Sequence, residues 1–541
     1  MHNMLNDKVV YQIYPKSFMD SNGDGIGDVQ GIISKLDYLK NLGVDIIWLT
    51  PIFMSPQRDN GYDIEDYYNI DPIFGTMDDV ETLIQEAKKR DLDIMFDMVL
   101  NHTSTKHEWF QKALQGDKTY QDYYFFKEKP TNWESKFGGN AWEYVESMKL
   151  YYLHLFDVTQ ADLNWENDEV FEEVCKIVNF WLEKGIKGLR FDVINLISKP
   201  EAFEDDFDGD GRRFYSDGKR VHEYLHKLNL ETFGKHNDVI TVGELSSTNI
   251  ENGVRYADPK NQELSTIFNF HHLKVDYKNG DKWALKPFDF IELKQILSSW
   301  QYAMQDQDAL MALFLNNHDQ PRSISRFGND KKYWKQSGKM LVIAMQLMRG
   351  MPYIYQGEEI GLPNSYFDSL ETYRDIETVN MIRILKDKGL TEPEVKEIIH
   401  ERSRDNGRTP IPWNRNHKYG FTTGKPWLSL SEYSDLQTVE DNLSDPDSIY
   451  YTYQSLIQLR KKLSVIQSGN IEFFALDHPE LLIYKRELDH EFAIVYCNFS
   501  DKEIEYSDIN QKGEVLLSNY DVNTLSNKNT FKPYEALVLK I

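Results

Sequence analysis

Charged and histidine side chains follow several short apolar runs in this chain of 541 residues. They stand at or just beyond the ends of four runs: Asn101 and His102; Arg190 and Asp192; Glu244; His318 and Asp319. A charge at the end of a buried strand is costly unless it is paired or functional. An aspartate there can also cap the following helix, but several such residues on one face of a sheet favour a shared site.

The set contains three carboxylates, Asp192, Glu244 and Asp319, and two histidines, without the spacing of metal ligands. Such a set suits cleavage of a glycosidic bond. A retaining glycosidase uses one carboxylate as nucleophile and a second, protonated carboxyl about 5–5.5 Å away as acid. The acid needs a pKa that its surroundings raise. Spacing along the chain also leaves an inverting arrangement open.

Eight apolar runs of strand length position these residues. Amphipathic stretches of helical period, such as 32–42 and 80–90, separate several of them. Strands that alternate with helices predict a parallel sheet, and eight such units predict an α/β fold of the closed (β/α)8 TIM barrel type. In a barrel the carboxyl ends of the strands share one face, where active sites lie. The runs are 9–14, 45–50, 93–99, 188–192, 239–244, 267–270, 309–317 and 351–356.

Two irregular spacings and a change of pattern predict the domain organisation. The barrel takes residues 1–102 and 170–463, and a small inserted domain after the third strand takes 103–169. An extended excursion, 357–413, follows the eighth strand within the barrel domain. Short alternating strands from 464 to 541 predict a C-terminal antiparallel β-sandwich domain.

The composition excludes several classes of protein. The formal charge of −26 argues against nucleic acid and against anionic membrane, both of which are polyanions. The two cysteines, Cys175 and Cys497, exclude a disulfide scaffold and suit a reducing compartment. No apolar run approaches the ~18 residues of a membrane span, and the first residues have no signal-peptide core. We therefore expect a cytoplasmic protein, and a monomer.

Five short motifs, in order along the chain, resemble the signatures of glycoside hydrolase family 13: DMVLNH, QADLN, GLRFDVIN, VGE and NNHD. The resemblance implies that Asp192 is the nucleophile, Glu244 the acid/base and Asp319 the stabiliser of the transition state. It further implies that Arg190 orients the nucleophile and that two histidines bind the sugar in the cleaved subsite: His102 and His318.

The motif GYD resembles the family element that closes this subsite, with Tyr62 as stacking platform and Asp63 as ligand of a hydroxyl. In exo-acting members an arginine near RDN-x-RTP pairs with that aspartate and makes the pocket blind. The candidate here is Arg408, with Arg404 as the alternative.

A loop that alternates oxygen-bearing side chains follows the first run. Its candidate ligands suit a structural Ca²⁺, with Mg²⁺ possible: Asp20, Asn22, Asp24, the carbonyl of Ile26, and Asp28. It is not an EF-hand, because Gly31 stands where a bidentate glutamate is needed. A glycine-rich turn without an ion is the alternative, which a similar loop in this branch of the family disfavours.

Longer segments, among them TNWESKFGGNAWE and GDGRRFYSDG, resemble the trehalose-6-phosphate hydrolases (phospho-α-glucosidases) of the oligo-1,6-glucosidase branch. Val193, after the implied nucleophile, resembles members that prefer α-1,6 or α-1,1 linkages. The resemblance implies a retaining α-glucosidase that needs no organic cofactor and releases glucose and glucose 6-phosphate. An oligo-1,6-glucosidase or dextran glucosidase is the alternative, and a transglycosylase also stays open.

A phosphorylated disaccharide needs local cations, and the candidates after the sixth run are, in order, Lys282, then Lys274 and Lys286.

Overall fold

Parallel strands close into a barrel in the computed structural model, which describes residues 5–430, 437–510, 512–522, 525 and 528–541. The strands are β1 (Val10–Ile13), β2 (Ile46–Leu49), β3 (Asp93–Val99), β4 (Gly188–Asp192), β5 (Ile240–Glu244), β6 (Thr266–Phe268), β7 (Ala312–Leu313) and β8 (Met351–Tyr355). Neighbours pair in the order β6-β5-β4-β3-β2-β1-β8-β7, and a parallel bridge between Ile267 and Met311, the residue before β7, joins β6 to β7. The predicted (β/α)8 barrel is confirmed.

Amphipathic helices surround the barrel. In the helix Asp168–Glu183 the Asn167 side chain caps the first turn, and apolar residues at three- and four-residue spacing turn one face to the strands. The principal helices are α1 (Val29–Ser34), α2 (Leu36–Leu42), α3 (Met77–Lys88), α4 (Asp168–Glu183), α5 (Val221–Glu231), α6 (Ile250–Ala257), α7 (Phe290–Asp306), α8 (Trp334–Gln346), α9 (Ile376–Asp387), α10 (Glu392–Arg402) and α11 (Ile449–Lys462). Shorter helices lie at Arg212–Tyr215, Ser323–Phe327, Val439–Ser444 and Ser464–Ser468.

The segment after β3 builds a small sheet of its own. Its three antiparallel strands are Phe126–Lys127, Leu150–Leu153 and Trp142–Val145, and two short helices, Glu108–Leu114 and Lys118–Gln121, precede them. A strand at His102–Ser104 pairs antiparallel with Gln160–Asp162 and ties both ends of the insertion to the barrel. The insertion therefore stands over the carboxyl ends of the strands, where its loops can reach a site.

After β8, the helices α9 and α10 carry the excursion. The C-terminal part is a five-stranded antiparallel sheet, ordered β9-β10-β11-β13-β12, with a two-stranded ribbon of Ile504–Glu505 and Thr530–Phe531. One face of the sheet packs on the barrel and the other forms an apolar cluster with the ribbon. The five strands are β9 (Asn470–Phe474), β10 (Leu481–Leu488), β11 (Glu491–Asn498), β12 (Glu514–Ser518) and β13 (Ala536–Lys540).

Among the described residues, no helix combines the length and the apolar character that crossing a membrane requires. Residues 1–4 and 431–436 of the predicted barrel domain, and five residues of the predicted C-terminal domain, lie outside the described part of the chain.

Candidate active site

The strand ends meet at a cavity of about 170 Å³, which we call the inner cavity. Asp192 from β4, Glu244 from β5 and Asp319 after β7 all line it. Two further predicted site residues, Tyr62 and His102, lie in the same wall. Residues 127 positions apart in the chain thus share one small space because the barrel places all its strand ends on one face.

Arg190 holds two of the three carboxylates together. Its buried guanidinium donates from Nη1 to Asp97 at 2.6 Å and to Asp192 at 2.7 Å, while Nη2 contacts the Glu244 carboxylate. Burial raises the pKa of Asp97 to about 7, and the charge of Asp192 adds to this effect while Arg190 opposes it. One cation therefore fixes the orientation of the carboxylates on β4 and β5.

Asp319 faces a second group of cations. Arg408 Nη2 lies 2.8 Å and Arg404 Nη1 3.1 Å from Oδ1, and His318 Nε2 lies 3.1 Å from Oδ2. Burial raises the pKa of this carboxyl, but the histidine and the two arginines outweigh it and hold the pKa well below the usual range. Asp319 is therefore ionised over the whole range in which a glycosidase works.

The two predicted histidines, His102 and His318, are buried beside the carboxylates. Burial lowers the pKa of both His102 and His318. The Gln12 amide lies 2.8 Å from His318 Nδ1, so that Nε2 carries the proton and faces Asp319. The Tyr62 ring stacks on His318, with centroids 5.2 Å apart and planes 2° apart, and its hydroxyl donates to Asp97 at 2.9 Å.

Asp63, predicted to bind a sugar hydroxyl, does not face the inner cavity. Its buried carboxylate accepts hydrogen bonds from Ser55 Oγ at 3.0 Å and from the backbone N–H groups of Arg58 at 2.9 Å and Asp59 at 3.0 Å. Asp59 lines the cavity in its place. The positive φ angles of Asn60 (51°) and Gly61 (103°) turn the chain between the two aspartates, which the motif alone did not reveal.

The predicted pairing of Arg408 with Asp63 is also wrong, since Arg408 contacts Asp319 and Asp375. The alternative, Arg404, closes the cavity: its Nη2 lies 3.2 Å from Asp59 and 2.5 Å from Asp375. Burial raises the pKa of Asp59 to about 7, against the pull of the two arginines. Asp59 and Arg404 therefore form the wall at this end of the inner cavity.

A second space of about 160 Å³, the outer cavity, adjoins the first. Glu244, Tyr277 and Asp319 border both spaces, and Lys274 lines only the outer one. The carboxyl of Glu244 therefore stands at the junction, where a bond between two sugars would lie. Ser246, two residues after β5, lines the outer cavity as well.

The three predicted phosphate-binding lysines occupy different places. Lys282 lines the inner cavity, and its ammonium pairs with Glu377 at 2.6 Å. Lys286 lines neither cavity and lies 3.5 Å from Glu292 at the start of α7. Of the three, only Lys274, the second choice, lines the outer cavity; Lys282 lies in the strand Asp281–Leu285 and Lys286 directly follows that strand.

The predicted metal ligands share one tight turn before α1. Asp20 accepts from the N–H groups of Gly23 at 2.7 Å and Gly25 at 2.8 Å, and Asp28 caps α1 through Gly31 N–H at 2.6 Å. Asn22 and Asp24 accept similar bonds from residues two positions on. Within the described part of the chain, no cluster of three or more His, Cys, Asp and Glu side chains suits a metal. The predicted ligands are oxygens of mixed type, the kind that a hard cation prefers, and in this structure they accept hydrogen bonds from the turn itself.

Comparison with known proteins decides the family. The model of the α-amylase catalytic domain matches residues 12–469. The trehalose-6-phosphate hydrolase of Bacillus subtilis (strain 168) is 50% identical over 98% of this chain and 97% of its own length. An oligo-1,6-glucosidase of Parageobacillus thermoglucosidasius is 45% identical over 99% and 98%. The crystal structure of Bacillus licheniformis trehalose-6-phosphate hydrolase superposes with a TM-score of 0.94, at 51% identity and 99% coverage of both chains. The chain belongs to the α-amylase family.

Membership in the α-amylase family confirms the predicted class, a glycoside hydrolase, and the resemblance on which it rested. The matched region contains every cavity residue described above.

Sequence reasoning missed several residues of this family site. Asp59 was not predicted, because it lies four positions before Asp63, the residue that the motif suggested. Phe137 and Glu377 reach the inner cavity from the insertion and the excursion, and no strand end marks them. Ser246 and Lys136 meet at 3.0 Å across 110 positions of chain, which no local pattern can indicate.

Proposed function

We propose that the protein is a retaining α-glucosidase that hydrolyses trehalose 6-phosphate to glucose and glucose 6-phosphate. One observation carries the proposal: an inner cavity that contains the three predicted catalytic carboxylates and the Asp59–Arg404 pair adjoins an outer cavity that presents a lysine, Lys274. An exo-acting enzyme needs a closed site for one glucose, and a phosphorylated leaving sugar needs a cation beyond it. The similarity to trehalose-6-phosphate hydrolases over nearly the full chain supports the same substrate.

In the proposed reaction the non-reducing glucose occupies the inner cavity. Asp192 attacks its anomeric carbon while Glu244 donates a proton to the glycosidic oxygen, and the bond to the leaving sugar breaks. Glu244 then takes a proton from water, which attacks the same carbon and releases Asp192 with net retention. Asp319, ionised between its arginines, stabilises the positive charge that develops on the ring.

Arg190 supports the retaining outcome. Asp192 and Glu244 bind the two Nη atoms of one guanidinium. Two carboxylates that bind the same guanidinium lie close together. This favours the distance of about 5–5.5 Å between the catalytic carboxyl groups of retaining enzymes over the roughly 6.5–9.5 Å of inverting ones. Proton NMR of the first product tests this point, and initial release of β-glucose would refute it.

The substrate is tested by the initial rates of the pure protein on trehalose 6-phosphate, trehalose and isomaltose. We expect the phosphorylated disaccharide to give the highest kcat/KM. A preference for isomaltose would replace this proposal by the second candidate, an oligo-1,6-glucosidase, which the 45% identity to such an enzyme favours. Accumulation of a new disaccharide in place of free glucose would instead indicate transglycosylation.

We also propose a structural Ca²⁺ in the turn before α1, held by Asp20, Asn22, Asp24, the Ile26 carbonyl and Asp28. Their alternation and their oxygen chemistry support it. The ion would fix the turn that leads from β1 into α1, and the catalytic steps above need no contribution from it.

A cytoplasmic location is proposed as well, because the free thiols of Cys175 and Cys497 suit a reducing compartment.

A further inference from the structure

One amide side chain joins the loops that follow β4 and β5. Asn195 lies three residues beyond Asp192 and is fully buried. Its Oδ1 accepts from the N–H of Ser246 at 2.8 Å, and its Nδ2 donates to the carbonyl of Ser246, also at 2.8 Å. Ser246 in turn lies two residues beyond Glu244. The amide therefore exchanges two hydrogen bonds with one residue of the next loop, as paired residues do across a sheet.

Asp217 fixes the orientation of this amide. Its Oδ1 accepts from Asn195 Nδ2 at 3.0 Å and from the Tyr256 hydroxyl at 2.8 Å. Its Oδ2 accepts from Thr248 Oγ1 at 2.8 Å and from Asn252 Nδ2 at 3.1 Å. A carboxylate can only accept, so the NH₂ group of Asn195 must point towards Asp217. The carbonyl oxygen of the amide is then left to face the N–H group in the loop after β5.

The chain reaches Asn195 through a strained turn. Val193, directly after β4, has φ 35° and ψ 41°, in the left-handed region. A β-branched residue rarely adopts this conformation, which persists only where the surroundings hold it in place. The Val193 side chain lines the inner cavity and shares a buried apolar cluster with Trp133 and Leu155. The turn directs Asn195 towards the end of β5, where its amide finds the backbone of the next loop.

The amide contact lies beyond the point where backbone pairing of β4 with β5 ends. The last paired residues are Phe191 and Gly243, one position before Asp192 and Glu244. Arg190 binds the carboxylates of these two residues, whereas the amide binds the backbone behind them. Without the amide, the loop after β5 would lose a contact that sets its distance from β4. A displacement of about 1 Å in a reacting group can cost about 100-fold in rate.

We propose that Asn195 is a positioning residue that holds Glu244 at its working distance from Asp192, and that Asp217 orients the amide for this task. The inference rests on the proposed function, in which these two carboxyl groups are the acid/base and the nucleophile. The described residues that line the two cavities include neither Asn195 nor Asp217. Asn195 therefore acts through the backbone of Ser246 and does not touch the sugar.

The dependence of the rate on the leaving group tests the proposal. In Asn195→Ala a displaced Glu244 transfers its proton less effectively, so the loss should grow with the need of the leaving group for that proton. On the disaccharide that the wild type cleaves fastest, kcat/KM should fall by roughly 10- to 100-fold. On α-glucosyl fluoride, whose fluoride leaves with little help from an acid, it should fall by about threefold at most. A smaller folded fraction would instead lower both values by one factor.

The second half-reaction gives an independent readout. Glu244 also acts as the base that activates water, so hydrolysis of the glycosyl-enzyme should become the slowest step for Asn195→Ala on α-glucosyl fluoride. The kcat and KM for this substrate should then fall together, while their ratio changes little. Azide, which attacks without a base, should raise the kcat of the variant and leave that of the wild type nearly unchanged.

Asn498→Ala is the matched control. Asn498 is also fully buried, and its amide donates to the carbonyls of Lys502 at 2.7 Å and Lys532 at 2.9 Å and accepts from the N–H of Ser500 at 2.9 Å. It belongs to the C-terminal sheet, far along the chain from the catalytic groups. Its loss should lower the Tm and leave the ratio of the two kcat/KM values as in the wild type.

Asp217→Asn tests the same contact from behind. The new NH₂ group would face at least one of the four donors that the carboxylate now accepts, so the Asn195 amide should be less firmly oriented. The variant should show the selective loss on the disaccharide at a smaller size than Asn195→Ala.

Each outcome bears on a different step. If the wild type cleaves neither the disaccharide nor the fluoride with retention, or if Glu244→Gln shows no selective loss on the disaccharide, the proposed function itself fails. If both behave as expected but Asn195→Ala loses one factor on both substrates, or loses nothing, the amide does not position Glu244. If Asn195→Ala does not fold, Asp217→Asn decides by the same ratio, and an unchanged ratio there overturns the proposal.

Discussion

Two aspartates four residues apart, Asp59 and Asp63, should respond in opposite ways to the same substitution. Asp59 faces the inner cavity beside Arg404, where it can accept a hydrogen bond from a glucose hydroxyl. Such a bond to a charged group is worth about 1.5–3 kcal/mol. Asp59→Asn should therefore lower kcat/KM by roughly 10- to 150-fold, at ~1.4 kcal/mol for each factor of ten.

Asp63→Asn should act on stability instead. The carboxylate accepts three hydrogen bonds inside its own turn. The amide that replaces it has one oxygen and presents an NH₂ group to at least one of these donors, leaving a buried bond unmade at a cost of about 1–3 kcal/mol. The Tm should fall, while the folded fraction keeps its kcat/KM.

Steady-state kinetics on 4-nitrophenyl α-glucoside and a thermal melt of each variant decide between the two roles. Asp387→Asn is the control, because this aspartate is exposed at the end of α9 and the change should alter neither quantity. The assignment is refuted if Asp63→Asn loses turnover at unchanged Tm while Asp59→Asn stays active. The motif-based choice of Asp63 as sugar ligand would then be correct, and the turn would have to open on binding.

Other perturbations address the catalytic groups and the ion. Asp192→Asn should abolish turnover while the protein still folds, whereas azide should partly rescue the second step in Glu244→Gln. Excess EDTA should lower the Tm more than it lowers activity at moderate temperature, since an ion that binds only the native state stabilises it by RT ln(1 + [L]/Kd); an unchanged melt would contradict the calcium proposal.

The barrel and its central residues could be predicted because both depend on local patterns. Each strand is a short apolar run, and the fold places the polar residue at its end on a common face whatever the distance along the chain. Asp192, Glu244 and Asp319 follow from that rule. Arg190 follows as well, since alternate residues of β4 point to the same side.

Residues carried by loops could not be predicted in this way. The choice between Asp59 and Asp63 depends on two positive φ angles, and that between Arg404 and Arg408 on a 3-10 turn at Arg404–Gly407. A shift of four residues moves a side chain from the cavity to the interior of the turn or to another partner. The motif predicts which segment contributes to the cavity. Which residue of that segment faces the cavity depends on the backbone conformation.

Substrate choice depends on the least predictable contacts of all. The lysines after β6 attracted attention because they are dense in sequence, yet Lys282 and Lys286 are neutralised by Glu377 and Glu292, which lie 95 and 6 positions away. Of the three predicted lysines, Lys274 alone lines the outer cavity. Which lysine faces a leaving sugar therefore depends on how the loops pack and pair in space, and the density of charge along the sequence does not indicate it.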